Sequence, residues 1–383
     1  MRALSDLDLQ DMAAQCRRWG APPSHALRLL REYYRSGGRP DLAALKLGKI
    51  LEHRLGAELP LRQSNLLLQR NAADGTVKLL IGFATGGAAE SVLIPAHDRR
   101  RAAGCVSSQI GCAMGCNFCA STRGGLERNL SAGEIVEQFL HLREQAGALR
   151  RRLSTLVFMG MGEPMHNLDE VMAAVRRIAG VNMGELGARH ITISTVGIVP
   201  GIDRLAEADL NVHLALSLHA PDDETRARLV PSNRRYGVGE IMAAAQRFQQ
   251  RTGRVVNVEY CALAGVNDSD DQARMLAALM AGFRAHVNLI PYNPIGAESG
   301  GPCYEAPSPR RVEAFVGRPE VPGRRCPRAP AAGAGRERRL RTTEADDVAA
   351  VGGCPVHSRW PGVMGGQSSA GPEGLLKEKT GRR

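Results

Sequence analysis

The chain has 383 residues, of which 43% are hydrophobic, so it is long enough for one large domain with attachments around a sizeable core. It contains no run of about 18 apolar residues that could span a bilayer, and its polar start lacks the apolar centre of a secretory signal. We therefore expect a cytoplasmic protein with no membrane partner, whose nine cysteines indicate metal or redox chemistry rather than a disulfide framework. The formal net charge of +11 suits a polyanionic partner such as nucleic acid, whereas an aromatic content of 4% argues against a broad base-stacking platform.

The first part of the chain divides into a helical and a β-rich segment. Residues 1–60 place apolar residues three and four apart in "LQDMAAQCRRWG" and "SHALRLLREYYRSG", which predicts a small helical module with helices ending at Gly20 and Gly37. Residues 61–95 change period, because "SNLLLQR", a turn at Ala73 to Gly75, "TVKLLIGFA" and "ESVLIP" read as a short antiparallel sheet.

From Leu130 to about Phe315 the chain repeats a strand and helix pattern, as in "LSTLVFMG" followed by "LDEVMAAVRRIAG". Nearly apolar strands that alternate with helices predict parallel packing with right-handed crossovers. Counting a first unit after the cysteine run described below, we expect an α/β fold with about six parallel strands, a partial (β/α)6 barrel rather than a closed eightfold one. Its strand ends read "GMGEP" (160–164), "STVG" (194–197), "SLHAP" (217–221) and "YNP" (292–294), so polar and glycine-rich segments gather where such folds hold their active sites.

The run "CVSSQIGCAMGCNFCAST" (105–122) concentrates sulfur in one loop. Cys112, Cys116 and Cys119 form a C-x3-C-x2-C pattern, and the flanking glycines allow the backbone to turn tightly around whatever the thiolates hold. A structural zinc site requires four ligands, and no nearby Cys or His has the usual paired spacing. Three thiolates could hold a 4Fe–4S cluster and leave one iron free for a small molecule, with buried structural cysteines and zinc as the alternatives.

Several ordered motifs extend the pattern beyond the cysteines: "MGMGEPMHNLDEV", "ITISTVGIVPGIDRLA", "LALSLHAPDDETRARLVPSN", "VEYCALAGVND" and "NLIPYNP". Together with the cysteine run, they resemble the ribosomal RNA adenine carbon-2 methyltransferases, a radical S-adenosylmethionine (SAM) family that also acts on some transfer RNAs. The resemblance covers roughly residues 88–315. It implies that residues 96–316 form a radical SAM core and that residues 1–60 form an accessory RNA-binding module.

The resemblance also implies roles for individual residues. It makes Cys112, Cys116 and Cys119 the cluster ligands, and Glu90 and Cys105 the proton acceptor and the resolving cysteine. The positions that bind SAM would be Gly162 and Glu163, which receive the methionine amino group, and Ser194, Ser217, Leu218, His219 and Asn293, which line the pocket. Taken singly, the five pocket positions are more typical of polar caps, the turn at Gly162 and Glu163 of a plain Gly-Pro loop, and Glu90 of a solvated strand residue.

Adenine carbon 2 carries no acidic proton, so ordinary polar methyl transfer has no nucleophile there. The resemblance implies instead that one SAM methylates a protein cysteine and that a second is cleaved to a 5′-deoxyadenosyl radical, which takes hydrogen from that S-methyl group. The resulting carbon radical adds to the base, and Cys105 as thiolate then attacks the sulfur of the tether, which forms a disulfide and frees the methylated RNA.

The implied partners are 23S rRNA, with transfer RNA as a further candidate substrate, and an external electron donor such as flavodoxin, and we expect a monomer. Three other interpretations share part of the pattern: a carbon-8 methylating relative, a radical SAM enzyme on a non-RNA substrate, and a non-enzymatic RNA-binding protein. The last leaves the cysteine motif and the polar strand ends unexplained.

The ending departs from the family. The methyl-carrying cysteine belongs to a C-terminal "ACGQL" motif, which is absent, and residues 317–383 read as a low-complexity basic tail that we expect to be disordered. "RRLRTTE" (338–344) can be encoded by a stretch whose next reading frame spells Ala-Ala-Cys-Gly-Gln-Leu-Arg, so we hypothesise a frameshift. The in-frame substitute would be Cys354; Cys303 and Cys326 are weaker candidates, and Cys16 and Cys261 read as core residues.

Overall fold

The computed structural model describes residues 2–231, 235–295 and 303–317. The sequence predictions for the tail after residue 317, including its disorder and the candidate cysteines Cys326 and Cys354, lie outside the described residues. Within those ranges, no helix combines the length and the hydropathy that a membrane span requires.

Several helices begin at a residue whose side chain accepts a hydrogen bond from the backbone of the first turn. Ser131, for example, accepts from the Glu134 backbone N–H, and Glu134 reaches back to Ser131, which forms a capping box. The helices are α1 (Leu9–Arg18), α2 (His25–Arg35), α3 (Leu42–Leu45), α4 (Lys49–Ala57), α5 (Ala132–Ala148), α6 (Leu168–Ala179), α7 (Val199–Glu207), α8 (Asp223–Leu229), α9 (Val238–Thr252), α10 (Asp270–Leu279) and α11 (Pro309–Val316).

The strands form one nine-stranded sheet and one two-stranded sheet. They are β1 (Ser64–Asn71), β2 (Val77–Phe83), β3 (Ala88–Pro95), β4 (Arg101–Cys105), β5 (Gln109–Gly111), β6 (Leu126–Asn129), β7 (Arg152–Phe158), β8 (Ile191–Thr195), β9 (His213–Ser217), β10 (Val256–Ala262) and β11 (Ala285–Pro291). The large sheet runs in the order β1-β2-β3-β4-β7-β8-β9-β10-β11, and β5 pairs with β6.

The six strands β4, β7, β8, β9, β10 and β11 are parallel neighbours, which confirms the predicted six-stranded parallel core. The interior residues of β4 and β7 to β10 are almost all buried, those of β11 are mostly half-buried, and α5 packs against β3, β4 and β7 on one face. The sheet ends at β1 and β11, which do not pair with each other, so the barrel is partial. The carboxyl ends of the six strands therefore meet along one edge, as expected for a parallel sheet.

Two details differ from the sequence prediction. The antiparallel strands β1 to β3 are not a separate sheet, because β3 pairs with β4 and so extends the parallel core. The first parallel strand, β4, precedes the cysteine run rather than following it. Its sequence "RAAGC" contains alanine and glycine instead of β-branched residues, so propensity gives no strand signal there.

The N-terminal helical segment packs into the same hydrophobic core as the barrel. Asp6 accepts hydrogen bonds from the Ser131 hydroxyl (2.9 Å) and the Gly133 backbone N–H (2.8 Å), so it caps the amino end of α5. Ser5 donates to the buried carboxylate of Glu137 at 2.9 Å. These contacts hold the N-terminal helical segment, as described from residue 2, against the first helix of the parallel core.

Candidate active site

The cysteine run forms a loop whose turn requires glycine. Gly111 has a φ of 74°, and a Cβ at this position would overlap the carbonyl oxygen of Gly125. The backbone N–H of Cys112 donates to that same carbonyl at 2.9 Å. The loop therefore closes on itself immediately before the first cysteine of the motif.

The three cysteines of the motif line one cavity of about 360 Å³ at the carboxyl end of the parallel strands. Thr122 fixes the loop between them, because its hydroxyl lies 3.2 Å from the Cys116 carbonyl oxygen and 3.1 Å from the Cys119 carbonyl oxygen. Burial raises the pKa of the Cys112 thiol to about 11. Burial, with the neighbouring thiols of Cys119 and Cys112, also raises the pKa of Cys116 well above its usual value. The thiols are thus close enough to affect one another's ionisation, and a cationic partner is needed to make them thiolates.

The donor set of this loop fits a cluster better than structural zinc. Among the described residues, no group of three or more His, Cys, Asp or Glu side chains is arranged around one ion. Structural zinc is held by four ligands. Three cysteines that line one cavity match the thiolate ligation of an iron–sulfur cluster and leave one iron free.

Gly162 and Glu163 connect the cysteine loop to two strand ends. The buried Glu163 carboxylate accepts from the backbone N–H of Met165 (3.0 Å) and of Val196 (2.9 Å), which join the ends of β7 and β8. Its own N–H donates to the Gln109 side chain at 2.8 Å. Burial raises the pKa of Glu163 to about 6. Gly162 has a φ of 98°, and a Cβ there would lie 2.5 Å from Cβ of Gln109, so only glycine fits.

Three further predicted residues line the cavity from β8 and β9. The hydroxyls of Ser194 and Ser217 lie 3.1 Å apart across the two strands. His219 adopts a left-handed conformation with a φ of 59°, and its Nδ1 accepts from the Cys261 backbone N–H at 3.1 Å. Its ring packs edge-on against Phe118 of the cysteine loop, with 4.8 Å between centroids. The histidine therefore joins the cysteine loop to β10.

Asn293 and Leu218 occupy different positions relative to the cavity. Asn293 is exposed and lines it at the end of β11. Leu218 is fully buried and lies outside the lining; its backbone N–H donates to the Glu259 carbonyl at 3.0 Å, and its carbonyl accepts from Arg226 at 3.1 Å. Leu218 thus contributes through its backbone to the position of the turn after β9.

Glu259, which none of the sequence motifs singled out as a site residue, is a buried carboxylate that also lines the cavity. The strand register places it between Ser217 on β9 and Asn288 on β11, and the Asn288 amide donates to it at 2.7 Å. Burial raises its pKa to about 7. The available signal was an acidic residue inside the otherwise apolar strand "VNVEYCA".

Arg226 of α8 was missed as well. Its side chain is buried beneath the cavity, where its guanidinium donates to the carbonyls of Leu218 and Val196. Burial lowers its pKa to about 10, and the neighbouring Cys116, Asp223 and Glu163 oppose that shift. The sequence gives no sign of this burial, because "DETRARLV" reads as a solvated helix.

Glu90 and Cys105 do not line the cavity, but the register places them on one face of the sheet. Val92 pairs with Cys105, so Glu90, two residues earlier, is its diagonal neighbour at about 7 Å. Ser91 points to the opposite face, where its hydroxyl contacts α5, so Glu90 and Cys105 face away from that helix. Lys78, another residue that sequence analysis missed, lies with its ammonium 3.5 Å from the Glu90 carboxylate, and both side chains are buried.

Comparisons with known proteins agree with this geometry. Residues 106–277 match the model of the Radical SAM superfamily. A relative from Opitutus terrae, named "Probable dual-specificity RNA methyltransferase RlmN 1", is 51% identical over 82% of this chain and 88% of the relative. A relative from Thermus thermophilus, named "Probable dual-specificity RNA methyltransferase RlmN", is 44% identical over 68% of this chain and 73% of the relative.

A solved structure, the radical SAM methyltransferase from Sphaerobacter thermophilus, superposes with a TM-score of 0.78 at 41% identity, and the match covers 83% of this chain and 92% of that one. Fold, cysteine loop and sequence identity over most of both chains thus point the same way. The chain belongs to the RlmN family of RNA methyltransferases within the radical SAM superfamily.

Proposed function

We propose that the chain methylates adenine carbon 2 in 23S rRNA, with transfer RNA as a second substrate. The observation that carries the proposal is the cavity in which the three cysteines meet Glu163 and polar groups from successive strand ends. The names of the relatives support RNA as the substrate class, and dual specificity supports two kinds of RNA. The choice of carbon 2 rests on the sequence motifs.

The cofactors of a radical SAM enzyme are a 4Fe–4S cluster and SAM. We assign the cluster to Cys112, Cys116 and Cys119. A cluster held at three corners, when bound, supplies the electron that cleaves SAM. The polar residues around the cysteines then have the task of binding SAM in one orientation and of keeping water out of the cavity.

Glu163 and Gly162 are assigned to the methionine end of SAM, because they lie at the turn beside the cysteine loop. Two backbone N–H groups already fix the Glu163 carboxylate, so it is preorganised for an ammonium group. The hydroxyls of Ser194 and Ser217, with His219 and Asn293, line the rest of the cavity. We add Glu259 to this set, because its carboxyl group offers hydrogen-bond acceptors for the ribose hydroxyls of SAM.

Glu90 is assigned as the proton acceptor and Cys105 as the resolving cysteine. The Lys78 ammonium lies 3.5 Å from the Glu90 carboxylate and holds it in position on this face of the sheet. Cys105 requires a methyl-carrying cysteine as its disulfide partner, and the candidate Cys354 lies outside the described residues. We further propose a monomer, an external electron donor such as flavodoxin, and an RNA-binding role for residues 1–60.

The test is a reaction of the anaerobically reconstituted chain with SAM, a reductant and a 23S rRNA fragment. We expect 5′-deoxyadenosine, and nucleoside mass spectrometry should identify 2-methyladenosine in the RNA. 8-Methyladenosine would instead assign carbon 8. A loaded enzyme that forms neither 5′-deoxyadenosine nor methylated RNA would contradict the proposal.

The ending of the chain has its own test. If Cys354 carries the methyl group, Cys354→Ala abolishes RNA methylation and preserves 5′-deoxyadenosine formation. If the chain has no methyl carrier, the native protein itself forms 5′-deoxyadenosine but no methylated RNA. Sequencing the gene across codons 310–383 then shows whether an "ACGQL" frame lies downstream, as the frameshift hypothesis requires.

A further inference from the structure

The amino-terminal edge of the parallel sheet carries a concentration of arginine. We define the amino-terminal rim as the first residue of each parallel strand and the three residues before it. These windows are 98–101, 149–152, 188–191, 210–213, 253–256 and 282–285, and all lie within the described residues. They contain nine arginines and one carboxylate, that of Asp98.

Most of the rim arginines reach solvent. Arg99, Arg150 and Arg152 are exposed, and within the described part of the chain no ion pair joins any of the three to a carboxylate. Asp98 lies 3.7 Å from Arg100 and 3.6 Å from Arg101, so it offsets charge at one corner of the rim. The rim thus keeps a large positive excess in water, where a polyanion can reach it.

Backbone contacts hold the two richest arginine segments side by side. The N–H of Arg152 donates to the Arg100 carbonyl at 2.8 Å, and Arg101 pairs with Arg152 in the β4 and β7 ladder. The Arg151 guanidinium donates to the Arg101 carbonyl at 3.1 Å. The segments 99–101 and 150–152 therefore form one fixed patch of six arginines.

We infer that the amino-terminal rim, centred on Arg99, Arg150 and Arg152, binds the phosphate backbone of the RNA substrate at a distance from the reaction cavity. The inference rests on RNA being the substrate, as proposed above. Arginine forms bidentate, charge-assisted hydrogen bonds with phosphate oxygens, and clusters of exposed arginine without carboxylates favour such ligands. Contacts to phosphate carry no sequence information, so this surface adds affinity rather than sequence specificity.

The position of the rim separates its role from catalysis. β7 has seven residues, so about 20 Å of strand lies between the rim and the cavity at a rise of about 3.3 Å per residue. Binding of this kind requires an RNA segment that extends along the side of the barrel from the cavity to the rim. An electron donor docked on the rim would face the end of the sheet away from the cysteines, which disfavours that occupant.

The experiment measures binding of a fluorescein-labelled 23S rRNA hairpin to the reconstituted full chain by anisotropy, between about 50 and 200 mM KCl. The test variant combines Arg99→Glu, Arg150→Glu and Arg152→Glu. The matched control combines Arg204→Glu, Arg247→Glu and Arg274→Glu, whose arginines are exposed but each paired with an aspartate. Both variants change the net charge equally, so a difference between them reports the location of the charge.

We expect the rim variant to bind about tenfold more weakly and its salt slope to fall by about 0.9 for each phosphate that the protein no longer neutralises. The control should stay within about threefold of the native chain, and lysine at the three rim positions, which keeps the positive charge but not the bidentate geometry, should restore part of the affinity. Equal losses of affinity in both variants, or an unchanged salt slope, would overturn the inference. If the glutamate variant fails to fold by circular dichroism, glutamine at the same positions provides the same comparison. A native chain that binds no RNA overturns the proposed function as well.

Discussion

The two ends of the parallel sheet differ in the kind of charge they carry. At the carboxyl end, the last residue of each parallel strand and the three that follow contain no Asp, Glu, Lys or Arg, and these windows all lie within the described ranges. The ionisable groups at this end, Glu163, Glu259 and Arg226, are buried instead. Burial raises the pKa of the two glutamates and lowers that of the arginine, and both directions favour the neutral form. The amino-terminal rim has exposed arginines. Buried ionisable groups with shifted pKa values are typical of catalytic sites, whereas exposed arginines are suited to binding a polyanion.

The largest effect should come from removing the thiols at the carboxyl end. Substitution of Cys112, Cys116 and Cys119 by alanine should abolish iron binding, because no other cysteine group in the described chain replaces this donor set. Iron content and the brown absorbance of anaerobically reconstituted protein measure this loss. The exposed Cys303→Ala is the control and should retain both. Retention of iron in the triple variant would refute the assignment. Unchanged RNA affinity in that variant would show that RNA binding at the amino-terminal rim does not depend on the cluster at the carboxyl end.

The next effect concerns Glu163. In Glu163→Ala the backbone N–H groups of Met165 and Val196 lose their acceptor, and each buried unpaired group costs about 1 to 3 kcal/mol. We expect SAM affinity to fall at least about tenfold, measured by equilibrium dialysis with labelled SAM. Glu163→Gln keeps one acceptor oxygen, so its affinity should fall between those of the native chain and the alanine variant. Native SAM affinity in the alanine variant would show that the carboxylate has no part in the binding site.

The burial of Glu259 should make the free energy of unfolding depend on pH. Its pKa is raised from 4.5 to about 7 by burial, so the folded state holds this proton more tightly than the unfolded state. The stabilisation is complete below the ordinary pKa and is lost as pH rises through about 7. Glu259→Gln avoids this loss, so it should be more stable than the native chain above about pH 7, by about 3 kcal/mol, and similar near pH 4.

Urea unfolding of the cofactor-free proteins at both pH values measures that difference. The same variant should bind SAM more weakly, because the amide cannot match a carboxylate as a double acceptor. A gain in stability together with a loss of affinity is the signature of a binding residue. A variant that is less stable at high pH would contradict the burial argument.

The sequence predicted the features that repeat and missed those that depend on packing. Alternation of apolar strands with helices was enough for five of the six parallel strands, and the cysteine spacing with the polar strand ends named nine of the residues that line the cavity. Lys78 was missed because "TVKLLIGFA" reads as a plain apolar strand, and its significance depends on pairing with Glu90. Arg226 was missed because only tertiary packing buries that helix face. The strand β4 was misplaced because its small residues carry no β signal.

The smallest expected effect comes from comparing two glycines with positive φ, one at each end of the parallel sheet. Gly162, at the cavity, has a φ of 98° and would place a Cβ 2.5 Å from Cβ of Gln109, whereas Gly253, before β10, has a φ of 69° and open space around its Cβ position. Alanine at Gly253 should cost only the backbone strain of about 1 to 2 kcal/mol. Alanine at Gly162 adds overpacking of about 1 to 3 kcal/mol and displaces the turn that carries Glu163.

Urea midpoints of the two alanine variants measure these costs, and SAM dialysis shows whether the turn has moved. We expect the Gly162 variant to lose more stability and to lose SAM affinity, while the Gly253 variant keeps native affinity. Both positions have a positive φ that alanine disfavours, so both variants carry backbone strain. The difference between their stabilities therefore reports the close packing at the cavity. Equal losses of stability with native SAM affinity in both would mean that the carboxyl end can relax around an added methyl group, and that the tight packing of the cysteine loop against the Glu163 turn does not position SAM.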